Sequence, residues 1–139
     1  MNRYRPVCAI TVAAAALTVA PASMAQAATY TVKVTCAVPK LQPERQLAPN
    51  HCLNYIPDNT QTFTAKVTDS NGRAVQGVWV TWSDNSEAAH FRLANNPCKT
   101  GTNGTCSDEL LVRHPKRGMK ITVTATVGGS SGVGYLSFS

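Results

Sequence analysis

From Tyr30 onward, apolar and polar residues alternate with a period of two. Tyr30, Val32, Val34 and Cys36 alternate with Thr31, Lys33 and Thr35, and Phe63, Ala65 and Val67 with Thr64, Lys66 and Thr68. Val78, Val80 and Trp82 alternate with Trp79 and Thr81. Ile121, Val123, Ala125 and Val127 alternate with Thr122, Thr124 and Thr126, and Leu136 and Phe138 continue the pattern. Successive strand side chains point to opposite faces, so these runs predict half-buried strands, aliphatic inside and threonine outside. Turn residues separate them: Asp69-Ser70-Asn71-Gly72, Asn103-Gly104, His114 to Gly118, and Gly128 to Gly132. No part of residues 28–139 carries a helical period. About seven short strands at this spacing predict one all-β domain, an antiparallel two-sheet sandwich.

Residues 1–27 stand apart. Arg3 and Arg5 precede an uncharged apolar run from Val7 to Ala20, and Ala25-Gln26-Ala27 has the small-x-small pattern that a signal peptidase reads. The run is shorter than the roughly 20 residues a bilayer crossing needs, and Pro21 ends it. The expectation is a cleaved signal peptide, a secreted product and no membrane span afterwards. Removing it takes away two of the thirteen basic residues and no acidic one, leaving eleven basic against seven acidic. That surplus is too mild and too dispersed for nucleic acid, which calls for a dense basic face.

Four cysteines remain in 28–139: Cys36, Cys52, Cys98 and Cys106. An even number in a small exported chain reads as two disulfides, and closeness along the chain favours Cys36–Cys52 and Cys98–Cys106. The close thiol pairs of a structural zinc site are missing from the spacing. Residues 37–61 hold Pro39, Pro43, Pro49 and Pro57 and sit beside and inside the first ring. They read as a Pro-rich loop held by a disulfide, either a crossover between sheets or a rigid recognition loop.

From Thr62 to the end, the chain resembles the bacterial Ig-like domains of the Big-1 type, found in invasin- and intimin-like surface proteins. The resemblance rests on FTAKVTDSNGRAVQGVWVTWSD, TGTNGTCSDELLV and GMKITVTATVGGSSG. It implies an Ig-like sandwich in a bacterial surface setting, where such domains mostly serve as stacked spacers in adhesins. Two residues depart from the pattern. Gly101 stands where the family commonly has Asp, and Asp108 falls by alternation on the core face with Cys106, Leu110 and Val112. A buried unpaired carboxylate is costly, so Asp108 is expected at a wet sheet edge, with Arg92 or Arg113 as alternative partners.

Candidate chemistry is sparse. Gly128-Gly129-Ser130-Ser131-Gly132 matches Gly-x-Ser-x-Gly in letters, but neither Asp nor His follows, and a hairpin turn explains it. His51, His90 and His114 lack the spacing of a metal pair. Asp69-Ser70-Asn71-Gly72 lacks the later ligands and terminal Glu of a calcium loop. Nothing in the sequence gathers two carboxylates into a glycosidase pair. No catalytic residue, metal or cofactor is therefore expected.

Trp79 is the more informative residue: if Val78, Val80 and Trp82 face inward, it faces out, where tryptophan commonly anchors a contact. Cover by a loop, such as 37–61, is the alternative favoured. Tyr55 and Tyr135 are candidates to extend the same surface. Arg113, Lys116, Arg117 and Lys120 gather positive charge at one turn, suited to an anionic wall polymer or an acidic protein. Together these features predict a secreted, non-enzymatic binding or adhesion module whose partner is an extracellular protein or a cell-wall polysaccharide. The alternative is a secreted inhibitor of an extracellular hydrolase, because a stapled loop needs little ordering on binding.

Overall fold

A computed structural model describes residues 28–38 and 45–139. The expected signal peptide lies outside these residues, as does the 39–44 part of the Pro-rich stretch. Ten strands follow in chain order: β1 (Thr31–Cys36), β2 (Arg45–Ala48), β3 (His51–Asn54), β4 (Thr60–Thr68), β5 (Trp79–Asp84), β6 (Ala89–Phe91), β7 (Cys98–Lys99), β8 (Thr105–Val112), β9 (Lys120–Val127) and β10 (Ser130–Phe138). A single 3-10 turn, Leu93–Asn95, is the only helical element among the described residues.

The strands form two sheets, of order β1-β4-β8-β6 and β2-β3-β10-β9-β5-β7. Pairing is antiparallel throughout except between β3 and β10, which run parallel. The strand count is ten rather than about seven. The extra strands are short: β6 and β7 have three and two residues, too few to show alternation, and β2 and β3 lie within the Pro-rich segment. That segment leaves the first sheet after β1, forms a hairpin on the second, and returns to the first as β4. It crosses between the sheets.

Alternation places the core where the sequence predicts it. Phe63, Leu110, Ile121 and Leu136 are fully buried between the sheets, with Val80 and Trp82 from β5. Burying each such side chain stabilises the fold by about 1.5–3 kcal/mol. Trp82 packs on Phe91, ring centroids 5.2 Å apart, and its indole N–H donates to Cys98 Sγ at 3.2 Å. Both disulfides form as expected, Cys36–Cys52 and Cys98–Cys106, with Cα atoms 6.2 and 6.1 Å apart. Each ties one sheet to the other: the first joins β1 to β3, the second β7 to β8.

Gly128 and Gly129 make the tight turn between β9 and β10, with Gly128 at φ 56°. Gly132, grouped with that turn in the sequence, is a strand residue instead. A Cβ built on it would run into the Val32 carbonyl oxygen, and one on Gly134 would stand 2.7 Å from Val34 Cγ1. Both glycines let β1 lie directly on β10, closing one side of the sandwich.

Candidate functional site

Three regions carry chemistry. The first is the outer face of the six-stranded sheet. Inward-facing Val80 and Trp82 leave Trp79, Thr81 and Ser83 on the outside of β5, as the alternation predicts. Trp79 is 59% exposed, so the described residues of the loop do not provide the expected cover. The 37–61 segment instead supplies β2 and β3, at the opposite side of the sheet from β5 and β7. Trp79 pairs across strands with Lys99, whose ammonium lies 5.5 Å from the ring centre.

At the other end of this face, Lys120 Nζ stands 4.9 Å from the ring centre of Tyr135. His51 meets the same ring edge-on at 5.7 Å, and its Nε2 hydrogen-bonds Ser137 Oγ at 2.8 Å. Partial burial, and then the Lys120 charge, lower the His51 pKa below its ordinary value, favouring the neutral imidazole at pH 7. Neutral His51 and Ser137 form a hydrogen-bonded pair, but one that lies on an open sheet face. Lys99 and His51 escape the sequence argument because only strand pairing brings them to the aromatic residues. The β5–β7 contact that places Lys99 is two residues long.

The second region is the basic turn. Arg113 and Lys116 line an open groove of about 650 Å³ with Ile56, Pro57, Asn59, His114 and Pro115. The turn is fixed to the sheet by Gly118 N–H to Phe138 O at 2.8 Å and Phe138 N–H to Met119 O at 3.0 Å. His114 adopts φ 51°, a left-handed conformation uncommon outside glycine. Arg117 is exposed in the same turn. Lys120 separates from the other three: as the first residue of β9 it projects onto the sheet face over Tyr135. The structure therefore does not gather Trp79 and the basic turn into one spot. They stand at opposite ends of the second sheet, with Lys120 at the end nearer the turn.

Asp108 is the third. It is 2% exposed, in β8 opposite Phe63 of β4. On its other side, β6 has already ended at Phe91, opposite Leu110. The strand edge expected there exists, but the carboxyl is not wet. Arg92 pairs instead with Glu109, donating through Nε and Nη2 at 3.0 and 2.8 Å. Asp108 Oδ1 accepts the Glu109 N–H at 2.7 Å, and Oδ2 has no partner. Burial raises its pKa above the ordinary carboxylate value, outweighing the backbone hydrogen bonds and Arg92. The departure at Gly101 has a simpler account. Its turn closes through backbone bonds, Gly101 N–H to Thr105 O and Gly104 N–H to Gly101 O, each 2.9 Å.

Among the described residues, no three His, Cys, Asp or Glu side chains gather as a metal site, and no helix is long and apolar enough to cross a membrane.

The family model for the bacterial Ig-like domain (group 1) matches residues 56–138. No characterised protein matches the chain in sequence. Among solved structures, the beta-glucuronidase (GUS) of Parabacteroides merdae aligns with 76% of this chain and 12% of its own, at 10% identity and a TM-score of 0.46. That likeness spans a small part of the enzyme and is too loose to carry any argument about activity.

Proposed function

Because the chain belongs to the bacterial Ig-like domain family, group 1, we propose that it acts outside the cell as a non-enzymatic binding or adhesion module. The observation that carries this reading is Trp79, standing 59% exposed on a sheet that two disulfides tie to its neighbour. A large aromatic ring on an ordered frame loses little conformational entropy when it binds. The partner is an extracellular protein or a wall polysaccharide. Export with removal of residues 1–27 belongs to the same proposal, and a secreted product beginning at Ala28 by intact mass is the expected result.

To test it, the oxidised protein is immobilised and exposed to culture supernatant and envelope extracts, with a reduced and alkylated copy as control. Selective retention of a surface protein or wall polymer by the oxidised form alone is expected. No retention by a correctly folded sample would overturn the reading.

A second reading, inhibition of an extracellular hydrolase, draws on a different segment. Leu93 is 89% exposed at the tip of the 3-10 turn. The Arg92–Glu109 ion pair holds one side of the tip, and Asn96, bonded to both backbone groups of Trp82 at 2.9 and 2.8 Å, holds the other. Retention of a hydrolase whose activity falls on binding would favour it, and Leu93→Ala would then release the enzyme.

A further inference from the structure

Resting on the binding-module reading, we infer that the outer face of the six-stranded sheet is a platform for an acidic polysaccharide chain. Its middle is uncharged and covered with hydroxyls: Thr81 and Ser83 from β5, Thr122, Thr124 and Thr126 from β9, and Ser131 from β10. The strand registers bring them side by side, Thr81 opposite Thr126, Ser83 opposite Thr124, and Ser131 opposite Thr126 from the other side. Each end of the face carries an aromatic ring with a lysine over it, Trp79 with Lys99 and Tyr135 with Lys120.

No described acidic side chain lies on this face, and Arg45 of β2, opposite Leu53, adds a third cation at its edge. Charge complementarity therefore selects an anion. The rings select its form, because a sugar has an apolar C–H face that stacks on an indole or phenol and a rim of hydroxyls that exchanges hydrogen bonds with Thr and Ser. A stacking uronic-acid unit takes the place of the ammonium over each ring, and the displaced ammonium, on its flexible four-carbon stem, meets the carboxylate at the rim. Counting along the registers, Trp79 and Tyr135 are roughly 20 Å apart, six residues along and two strands across. A short run of sugar units bridges that distance.

An acidic protein fits less well. Protein interfaces are built around a desolvated apolar centre. The centre here is threonine with Val133 among it, and the other exposed large apolar side chains of this sheet, Trp79 of β5 and Leu47 of β2, are on strands at opposite sides of it. The four-stranded sheet also shows threonines outside, but it carries Glu109 among its cations and no exposed tryptophan or tyrosine. It serves as an internal control.

The test is a titration of the oxidised protein by calorimetry with three probes. They are polygalacturonate, its neutral counterpart galactan made by reducing the carboxyl groups of the same α-1,4-linked polymer to alcohols, and polyglutamate, which has carboxylates but no sugar rings. Polygalacturonate is expected to bind at least tenfold more tightly than either of the others. Trp79→Ala should weaken that binding at least tenfold, and Lys99→Gln with Lys120→Gln should remove the preference over galactan. Lys66→Gln on the opposite sheet should change nothing, with unfolding curves confirming that each variant is folded.

Equal binding of galactan would overturn the acidic assignment, and equal binding of polyglutamate would overturn the sugar assignment. An unchanged affinity in folded Trp79→Ala would overturn the platform itself. Failure of this inference is distinguishable from failure of the module reading. Capture of an envelope protein with no polysaccharide binding ends the platform and keeps the module, whereas no capture and no binding ends both.

Discussion

The two sides on which the sheets meet are each crossed by a disulfide, yet they are closed in opposite ways. On the first, β1 lies so near β10 that Gly132 and Gly134 have no room for a side chain. Backbone groups along it find partners, Tyr30 N–H to Ser130 Oγ at 3.2 Å, Cys36 N–H to Pro49 O at 3.0 Å, and Tyr135 N–H to Asn50 O at 2.7 Å, although buried Asn54 of β3, which donates to Thr60 O at 2.9 Å, leaves its Oδ1 unpaired. On the second, between β6 and β8 of one sheet and β5 and β7 of the other, backbone pairing runs out early. Asn96 substitutes for a missing strand partner at Trp82, and Asp108 is buried with an oxygen unpaired. The contrast teaches that a sandwich can close by backbone approach or by individual side chains. Each route leaves a buried oxygen unpaired, Asn54 Oδ1 on the first side and Asp108 Oδ2 on the second, and the second route also leaves a protruding Leu93.

Removing each covalent link is the strongest way to probe that contrast. Cys36→Ala with Cys52→Ala opens the longer ring, of sequence separation 16, and should cost about 3 kcal/mol of unfolding free energy in denaturant titrations. Cys98→Ala with Cys106→Ala opens a ring of separation 8 and should cost about 2.5 kcal/mol. A larger loss at the second site would show that its side chains depend on the disulfide more than ring size accounts for. Gly132→Ala comes next. Its Cβ meets backbone rather than a movable side-chain end, so a loss of roughly 2 kcal/mol is expected. A neutral result would mean that β1 can shift and the first side is not tightly closed.

Asp108→Asn should have the smallest effect and the most informative pH dependence. The folded-state pKa of Asp108 lies above its unfolded value. Its contribution to stability is thus fully present below the ordinary carboxylate pKa and is lost as pH rises through the raised one. Asn cannot ionise and escapes that loss. The variant should therefore melt above the parent at pH 7, with the gap closing near pH 3. A gap that widens on acidification would place a stabilising cation at Asp108 and contradict the geometry.

Much of the frame was legible along the chain. The runs that became β1, β4, β5, β8, β9 and β10 show their period because one face is packed and the other wet. Ring closure between nearest cysteines was legible for the same local reason, and the family resemblance to Big-1 agreed with both. The short strands were hidden. β7 exists because Cys98 and Lys99 lie beside Trp79 and Val80, a fact of tertiary pairing with no local pattern. Asp108 reads as a core position by alternation, but whether water reaches it depends on where β6 stops. The candidate platform was half visible: Trp79, Tyr135 and Lys120 were candidates from the sequence, whereas Lys99 joined them, and the threonine rows became one surface, only through strand order.

The position of β10 has a consequence for how the molecule comes to be folded. Residues 130–138 sit inside the larger sheet, between β3 and β9, and also carry β1 across their glycines. Without them, β3 and β9 each have an open edge, and β1, still paired with β4, loses the strand it packs against. The strands that precede it in the chain complete the sandwich only around this segment. Contacts so distant in sequence make folding slow, on the millisecond-to-second scale of β-sandwiches. A purified chain truncated after Val127 should accordingly be open to protease along much of its length, whereas the chain through Ser139 should resist it.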